Sequence, residues 1–283
     1  MTWVIVGCGY VGERLLSRLT RSGANVVATT RSPARAAALG PAARVADPRD
    51  QAALAGLIPA GAVVVDSVPP DAEKGPHAPA LLAACAKAGA RRIIYLSATS
   101  VYGPQECGPV WIDEATPAVP DQPRGRARLA AEEAMFAGAA AAGMDAIALR
   151  IAAIYGPGRG VHERIRAGTY HIVDAGSGFV SRIHVDDLVS VIIAAARVRP
   201  VVRPIYVVAD DEPTTVRDHA DGVAAALGLP PPPSIPWAQA PAPIVEMQTA
   251  GRRIANARMK GELGVTLGFP SWREGLRAIL AKS

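Results

Sequence analysis

Two short stretches hold residues whose types and spacing bear on chemistry. Residues 7–12 read Gly-Cys-Gly-Tyr-Val-Gly, and residues 123–128 read Pro-Arg-Gly-Arg-Ala-Arg. The first follows the apolar run Trp3–Val6 and opens a helical stretch, the context in which a glycine-rich turn grips the diphosphate of a dinucleotide. Gly7 permits the tight turn, Gly9 lets the backbone approach the phosphates, and Gly12 lets the helix pack closely on the strand. The N–H groups at the helix start then face the anion. The competing reading is an ordinary strand–helix turn, with Cys8 simply a small residue that fits. The second stretch places Arg124, Arg126 and Arg128 at the start of a long helix, where partial positive charge makes cations poorly placed.

The end of the second strand, Asn25–Thr29, bears on which dinucleotide fits. An acid there would pair with the ribose hydroxyls of NAD. No Asp or Glu occurs between Glu13 and Asp47, and Arg31 stands at the tip with Thr30, Ser32 and Arg35 close by. A guanidinium suits a 2′-phosphate through paired, charge-assisted hydrogen bonds. NADP is therefore expected over NAD; the competing reading is a solvated loop arginine.

These stretches sit in an alternating chain. Strands are expected at Trp3–Val6, Asn25–Thr29, Ala62–Asp66, Arg92–Ser97 and Asp145–Ile151. Helices are expected at Tyr10–Ser22, Pro33–Leu39, Ala78–Gly89 and Gly125–Ala142. Continuous apolar strands separated by helices indicate a doubly wound parallel sheet covered on both faces. Beyond residue 150 the rhythm loosens, with helices expected at Asp186–Arg197, Thr214–Leu227 and Trp272–Leu280 and a strand at Ile205–Val208. Residues 228–243, rich in proline, read as extended surface chain linking two elements. There is no internal repeat.

Composition sets the outer bounds. The 283 residues are half hydrophobic, enough for one large domain or two small ones. Lys and Arg number 30 against 25 for Asp and Glu, but they are scattered and aromatics are few, which argues against nucleic-acid binding. Three cysteines, Cys8, Cys85 and Cys107, form no CxxC pair and no even framework, which fits a reducing compartment. Five histidines and three cysteines at unrelated spacings give no metal site. The start of the chain shows no signal peptide, and apolar stretches such as Leu188–Ala196 fall short of the roughly 20 residues a membrane span needs. A soluble, cytoplasmic protein without membrane contact is expected.

By residue 103 the pattern resembles a known family. Gly-Cys-Gly-Tyr-Val-Gly (7–12), Arg-Arg-Ile-Ile-Tyr-Leu-Ser-Ala-Thr-Ser-Val-Tyr-Gly (91–103), Leu-Arg-Ile-Ala-Ala-Ile-Tyr-Gly-Pro-Gly (149–158) and Ser-Arg-Ile-His-Val-Asp-Asp-Leu (181–188) run in its order. Gly-Phe-Pro-Ser-Trp-Arg-Glu-Gly-Leu (268–276) resembles its C-terminal end. The chain is similar to the extended short-chain dehydrogenase/reductases, the NAD-dependent epimerase/dehydratase family. The resemblance implies an α/β architecture: a Rossmann-type doubly wound parallel sheet in residues 1–155, and a smaller C-terminal α/β substrate lobe in residues 156–283, interleaved with the first. It places the active site between them. Tyr10, Val11, Asp47, Ser67 and Ser97 complete the expected cofactor surface, beside Gly7, Gly9, Gly12, Thr30, Arg31, Ser32, Arg35 and Arg128.

Family members use a Ser or Thr, a Tyr, and a Lys four residues after the Tyr. The Tyr moves a proton on the substrate oxygen, the Lys lowers the Tyr pKa and holds the nicotinamide ribose, and the Ser/Thr fixes the oxygen. Aligned on Pro123 and Glu132, Arg124 stands at the Tyr position and Arg128 at the Lys position, while Ala98 stands at the Ser/Thr position between Ser97 and Thr99. The resemblance thus points to an atypical member. Arg124 is a candidate clamp for an anionic substrate or oxyanion, and Thr99 a candidate hydroxyl. Arg128 is either a ribose contact or a surface partner of Glu132 four residues on. Arg182 resembles a position that meets substrate phosphate or carboxylate. His184 lies in the same stretch, with a structural role as the competing reading. Tyr102 and Tyr155 read as packing residues, and Glu106, Cys107, Asp113 and Glu114 as residues of a cleft loop whose acids are solvated by default. The expected function is that of an NADP-binding oxidoreductase or epimerase acting on a small polar or anionic substrate. The alternative is a non-catalytic NADP-binding regulatory or sensor protein. The resemblance also implies a possible homodimer built partly from the helix over 125–142.

Overall fold

The computed structural model describes residues 1–70, 76–104 and 110–281. The chain forms two compact units, each assembled from separated stretches. The first takes Met1–Val101, Gln122–Arg150 and Val189–Tyr206; the second takes Tyr102–Asp121, Ile151–Leu188 and the chain from Val207 onward.

In the first unit strands and helices alternate: β1 Thr2–Val6, α1 Tyr10–Arg21, β2 Asn25–Thr30, α2 Pro33–Leu39, β3 Ala43–Val45 and α3 Gln51–Ala55. Then come β4 Val63–Asp66, α4 Ala78–Ala88, β5 Arg92–Ala98 and α5 Pro123–Ala141. A seven-stranded sheet runs in the order 205–208, 145–151, β5, β4, β1, β2, β3. The pairs β1–β2, β1–β4, β2–β3 and β4–β5 are parallel. The chain therefore winds outward from β1 to β3, then returns to the other side of β1 to form β4 and β5. That reversal opens a crevice beyond the carboxyl ends of β1 and β4, where ligands of open α/β sheets bind.

Local chemistry explains the elements. All four residues of β4 are buried, as a central parallel strand requires. α1 turns Leu15, Leu16 and Leu19 inward, each contributing roughly 1.5–3 kcal/mol by leaving water. Ser32 caps α2 through the Arg35 N–H, with Pro33 in the first turn. Gly89 closes α4 in the left-handed region. The core on the α4–α5 face joins Val4, Val64, Leu81, Ile93, Tyr95, Met135 and Ala148. β3 and α3 fall where the sequence reading marked no element; at three and five residues they are too short to show a period.

In the second unit, Ala153–Tyr155 pairs in parallel with Arg182–His184, and Trp111–Ile112 with Arg253–Ile254. A separate core joins Tyr155, Tyr170, Ile172, Val216, Val223, Trp272 and Leu276. The proline-rich stretch is less uniform than expected. Ser234–Ile235 pairs with Ile172–Val173, and Ala242 opens a helix to Thr249 with a proline in its first turn, where a missing N–H costs nothing. Among the described residues no helix is long and apolar enough to cross a membrane.

Candidate active site

The glycine turn joins β1 to α1. Gly7 has φ of +82°, and a Cβ there would lie 2.6 Å from Val68 Cγ2. Its N–H donates to Thr29 Oγ1 at 3.3 Å, and the Cys8 N–H donates to the Thr29 carbonyl at 2.7 Å. A Cβ on Gly12 would press on Ile5 Cγ2 at 3.2 Å, whereas one on Gly9 would meet nothing within 4 Å. The space over the start of α1 is thus open, and no side chain caps that end. An open, uncapped helix start behind a tight turn fits a diphosphate. In the first turn Val11 is buried and Tyr10 half-buried, with the Arg14 guanidinium 4.9 Å from the Tyr10 ring centre. Burial pushes the Cys8 thiol up to about 11, against the opposing pull of Arg35.

At the tip of β2 the two arginines diverge. Arg35 turns back over the turn: its Nε donates to the Cys8 carbonyl at 3.3 Å, and its guanidinium pairs with Glu13 at 2.9 Å. Arg31 is exposed and makes no hydrogen bond or ion pair among the described residues. Thr30 Oγ1 accepts the Ser32 N–H at 3.4 Å. Asp47, exposed just past β3, accepts from the Arg49 backbone at 2.9 Å and its guanidinium at 3.3 Å. The Ser67 N–H donates to the Val6 carbonyl at 2.9 Å and so ties the end of β4 to β1.

At the carboxyl end of β5, Ser97 is buried and donates to Glu132 Oε1 at 2.5 Å. Glu132 also receives Arg150 from strand Asp145–Ile151, through Nε at 3.1 Å and a second nitrogen at 2.7 Å. Of the two readings of Arg128, the surface pairing with Glu132 is therefore not the one found. Glu132 and Arg150 are both buried, and a buried charge left without a partner is costly. Arg128, half-buried, instead donates to the Leu96 carbonyl at 3.3 Å. Beside it lies Tyr95, a buried phenol pushed up by burial, with Arg128 opposing and Asp66 and Glu132 adding to the shift. Arg124 is exposed and unpaired among the described residues. Thr99 is buried in the 3₁₀ turn Thr99–Tyr102.

One pair went unnoticed in the sequence. Asp66, the last residue of β4, receives His77 Nε2 at 3.1 and 2.9 Å on its two oxygens. Oδ1 also accepts the Val68 N–H at 3.1 Å. Both residues of the pair are buried. The available signal was an acid ending an otherwise apolar strand, Val-Val-Val-Asp; the histidine eleven positions on is matched to it only by the fold.

The second unit holds the remaining candidates. Arg182 is buried and donates to the Val180 carbonyl at 2.8 Å and Thr214 Oγ1 at 2.9 Å; its guanidinium is engaged inside the unit. Burial lowers it to about 10, with Asp210 opposing. Asp210, also buried, is raised to about 8 by burial against the pull of Arg182. His184 packs between Tyr155 and Phe269, at 5.3 and 4.0 Å between ring centres, and its Nδ1 accepts the Asp186 N–H at 3.2 Å, a structural setting. Tyr155 donates to the Ser271 carbonyl at 3.3 Å, and Tyr102 to that of Asp113 at 3.0 Å. The loop acids are not simply solvated: Asp113 accepts the Ala115 and Thr116 N–H groups at 2.9 and 3.0 Å, and Glu114 accepts that of Val207 at 3.0 Å. Glu106 and Cys107 lie outside the described residues. Among the described residues no cluster of His, Cys, Asp and Glu could hold a metal.

A profile of the NAD dependent epimerase/dehydratase family matches residues 76–209. A second, described as NADP oxidoreductase coenzyme F420-dependent, matches residues 2–76. A Streptomyces sp protein named 3-diazoavenalumate denitrifying reductase is 32% identical, across 95% of this chain and 96% of its own. The chain belongs to the NAD-dependent epimerase/dehydratase family. Within that family's fold, a conserved protein of unknown function from Silicibacter pomeroyi DSS superposes with a TM-score of 0.84 at 32% identity, covering 100% of this chain and 99% of the other. MoeE5, solved with UDP-glucuronic acid and NAD, superposes with a TM-score of 0.80 at 24% identity, covering 98% and 97%, a likeness of fold alone. The family and its reductase relative mark this chain as an oxidoreductase of the epimerase/dehydratase type.

Proposed function

We propose that the chain is an NADPH-dependent reductase of a small, carboxylate-bearing acceptor, working without the family's tyrosine. The observation that carries this reading is the start of α5. There Arg128 reaches the Leu96 carbonyl at the carboxyl end of β5, and Arg124, one turn earlier, is exposed and unpaired among the described residues. The alignment on Pro123 and Glu132 sets these two guanidiniums against the family's Tyr and Lys, which supports the reading. The relative that is similar along nearly the whole chain is named a reductase of an organic acid anion, which favours reduction over epimerisation.

The residues present divide the work. The turn Gly7–Gly12 would hold the diphosphate, and Arg31 would pair with the 2′-phosphate. Arg128, fixed in charge, would meet the nicotinamide ribose, and Arg124 the carboxylate of the acceptor. When bound, the dinucleotide supplies the hydride. Neither arginine gives up a proton near neutral pH, so any proton the acceptor needs comes from another group.

The test is to mix purified protein with NADPH and a panel of carboxylated aromatic aldehydes and carboxylated arenediazonium salts, following loss of the reduced nicotinamide. Turnover faster with NADPH than with NADH, and a raised KM in Arg124→Ala, are expected. Tight NADPH binding with no turnover across the panel would overturn this reading in favour of a non-catalytic NADP-binding sensor.

A further inference from the structure

We infer that His77, held by Asp66, is the group that exchanges the proton at the nicotinamide end of the cleft. This rests on the reading above that a nicotinamide dinucleotide lies on the glycine turn. Asp66 ends β4, and the strand order places β4 on the far side of β1 from β2. A dinucleotide with its diphosphate on the β1 turn and its adenosine over β2 must extend its other half past the end of β4. The segment after β4 is fastened to that turn: the Val68 N–H donates to Asp66 Oδ1 at 3.1 Å, and Val68 Cγ2 fills the space against Gly7.

The pair has the form of an oriented imidazole. The Asp66 carboxylate accepts a hydrogen bond from the His77 Nε2–H, at 2.9 and 3.1 Å to its two oxygens, which fixes the ring and leaves Nδ1 to act. Among the described residues Nδ1 makes no hydrogen bond. Other groups at these strand ends are poorly suited to give a proton. Arg124 and Arg128 hold theirs, the Ser97 hydroxyl is bound to Glu132, and burial pushes the Tyr95 phenol up. Asp66 also acts on the buried Cys85 thiol, which desolvation raises to about 12, so that thiol keeps its proton. The charged and titratable groups around the pair are thus Cys85 from α4, Tyr95 from β5 and, beyond Tyr95, Arg128 from α5.

With a carbonyl acceptor, a hydride and a proton are both needed. A bound reduced nicotinamide would supply the hydride to the carbonyl carbon and be oxidised in doing so. The carbonyl oxygen gains the Nδ1 proton as the His77 N–H bond breaks. Solvent returns a proton to the imidazole, and the products are an alcohol and oxidised nicotinamide.

The test uses the two forms of the coenzyme, which differ by one positive charge on the nicotinamide ring. Binding of NADP⁺ and of NADPH is measured by calorimetry in buffers of different ionisation enthalpy, which yields the protons exchanged. A cation beside His77 disfavours imidazolium, so NADP⁺ should release more protons than NADPH, and the difference should vanish in His77→Gln and persist in Cys85→Ala. Equal proton exchange with both forms in the wild-type protein, or a difference that survives His77→Gln, overturns the inference. Should His77→Gln fail to fold, imidazole NMR of the wild-type protein decides: His77 ring signals that move differently with NADP⁺ and NADPH support the assignment, and signals that ignore both overturn it. Failure to bind either form overturns the coenzyme reading itself.

Discussion

Arg31 and Arg35 stand four positions apart and differ in what they can offer. Arg35 is tied to Glu13 and to the Cys8 carbonyl, while Arg31 is unengaged among the described residues. Arg31→Ala is therefore expected to weaken NADPH by about 1.5–3 kcal/mol, the worth of hydrogen bonds to a charged group, and to leave NADH nearly unchanged; fluorescence titration with each coenzyme reads both. Glu132 carries a different load. Removing it in Glu132→Ala strands the buried Arg150 and should cost about 3–5 kcal/mol in a denaturant titration. The sequence has Arg31 at the tip of β2 and no acid between Glu13 and Asp47. It did not show where Glu132 turns, because the helical spacing rule pairs neighbours on one surface and takes no account of a strand arginine buried beneath. His77 was hidden for the same reason: its partner lies on another element.

At the scale of elements, the turn between β1 and α1 was legible, since glycine at three set positions leaves few alternatives. Its geometry bears this out at Gly7, where φ is +82° and a Cβ would come within 2.6 Å of Val68 Cγ2. Gly7→Ala should cost about 1–3 kcal/mol of stability and abolish coenzyme binding; thermal melts with and without NADPH separate the effects. Strands Asp145–Ile151 and Ile205–Val208 and helix Trp272–Leu280 occupy the expected residues. Long apolar runs and strongly amphipathic stretches announce themselves. β3 does not: its burial pattern is one buried residue and two exposed, and β2 supplies the pairing that makes it a strand.

For the whole molecule, buried charge in the second unit sets a pH dependence. Asp210 carries a folded value of about 8 against an ordinary 3.8, raised chiefly by burial. Below the ordinary value both states hold the proton, and no cost arises. As pH rises toward about 8 the unfolded chain has lost its proton while the folded one keeps it, so stability falls through that window and levels above it. Asp210→Asn should flatten the fall, as read by denaturant midpoints on either side of the window.

The seven-stranded sheet also takes one edge strand from far along the chain. Arg92 and Arg91, at the start of β5, donate to the Ala195 and Ala196 carbonyls at 2.8 and 3.2 Å, and strand Ile205–Val208 closes that flank of the sheet. A ribosome must therefore travel past this strand before the nucleotide-type fold has its full complement of parts, with much of the other unit's chain already made. Nascent chains stalled at increasing lengths should gain protease resistance in one late step, and chains released after Tyr155 should stay digestible; an early resistant fragment would show that the sheet tolerates an unfinished flank.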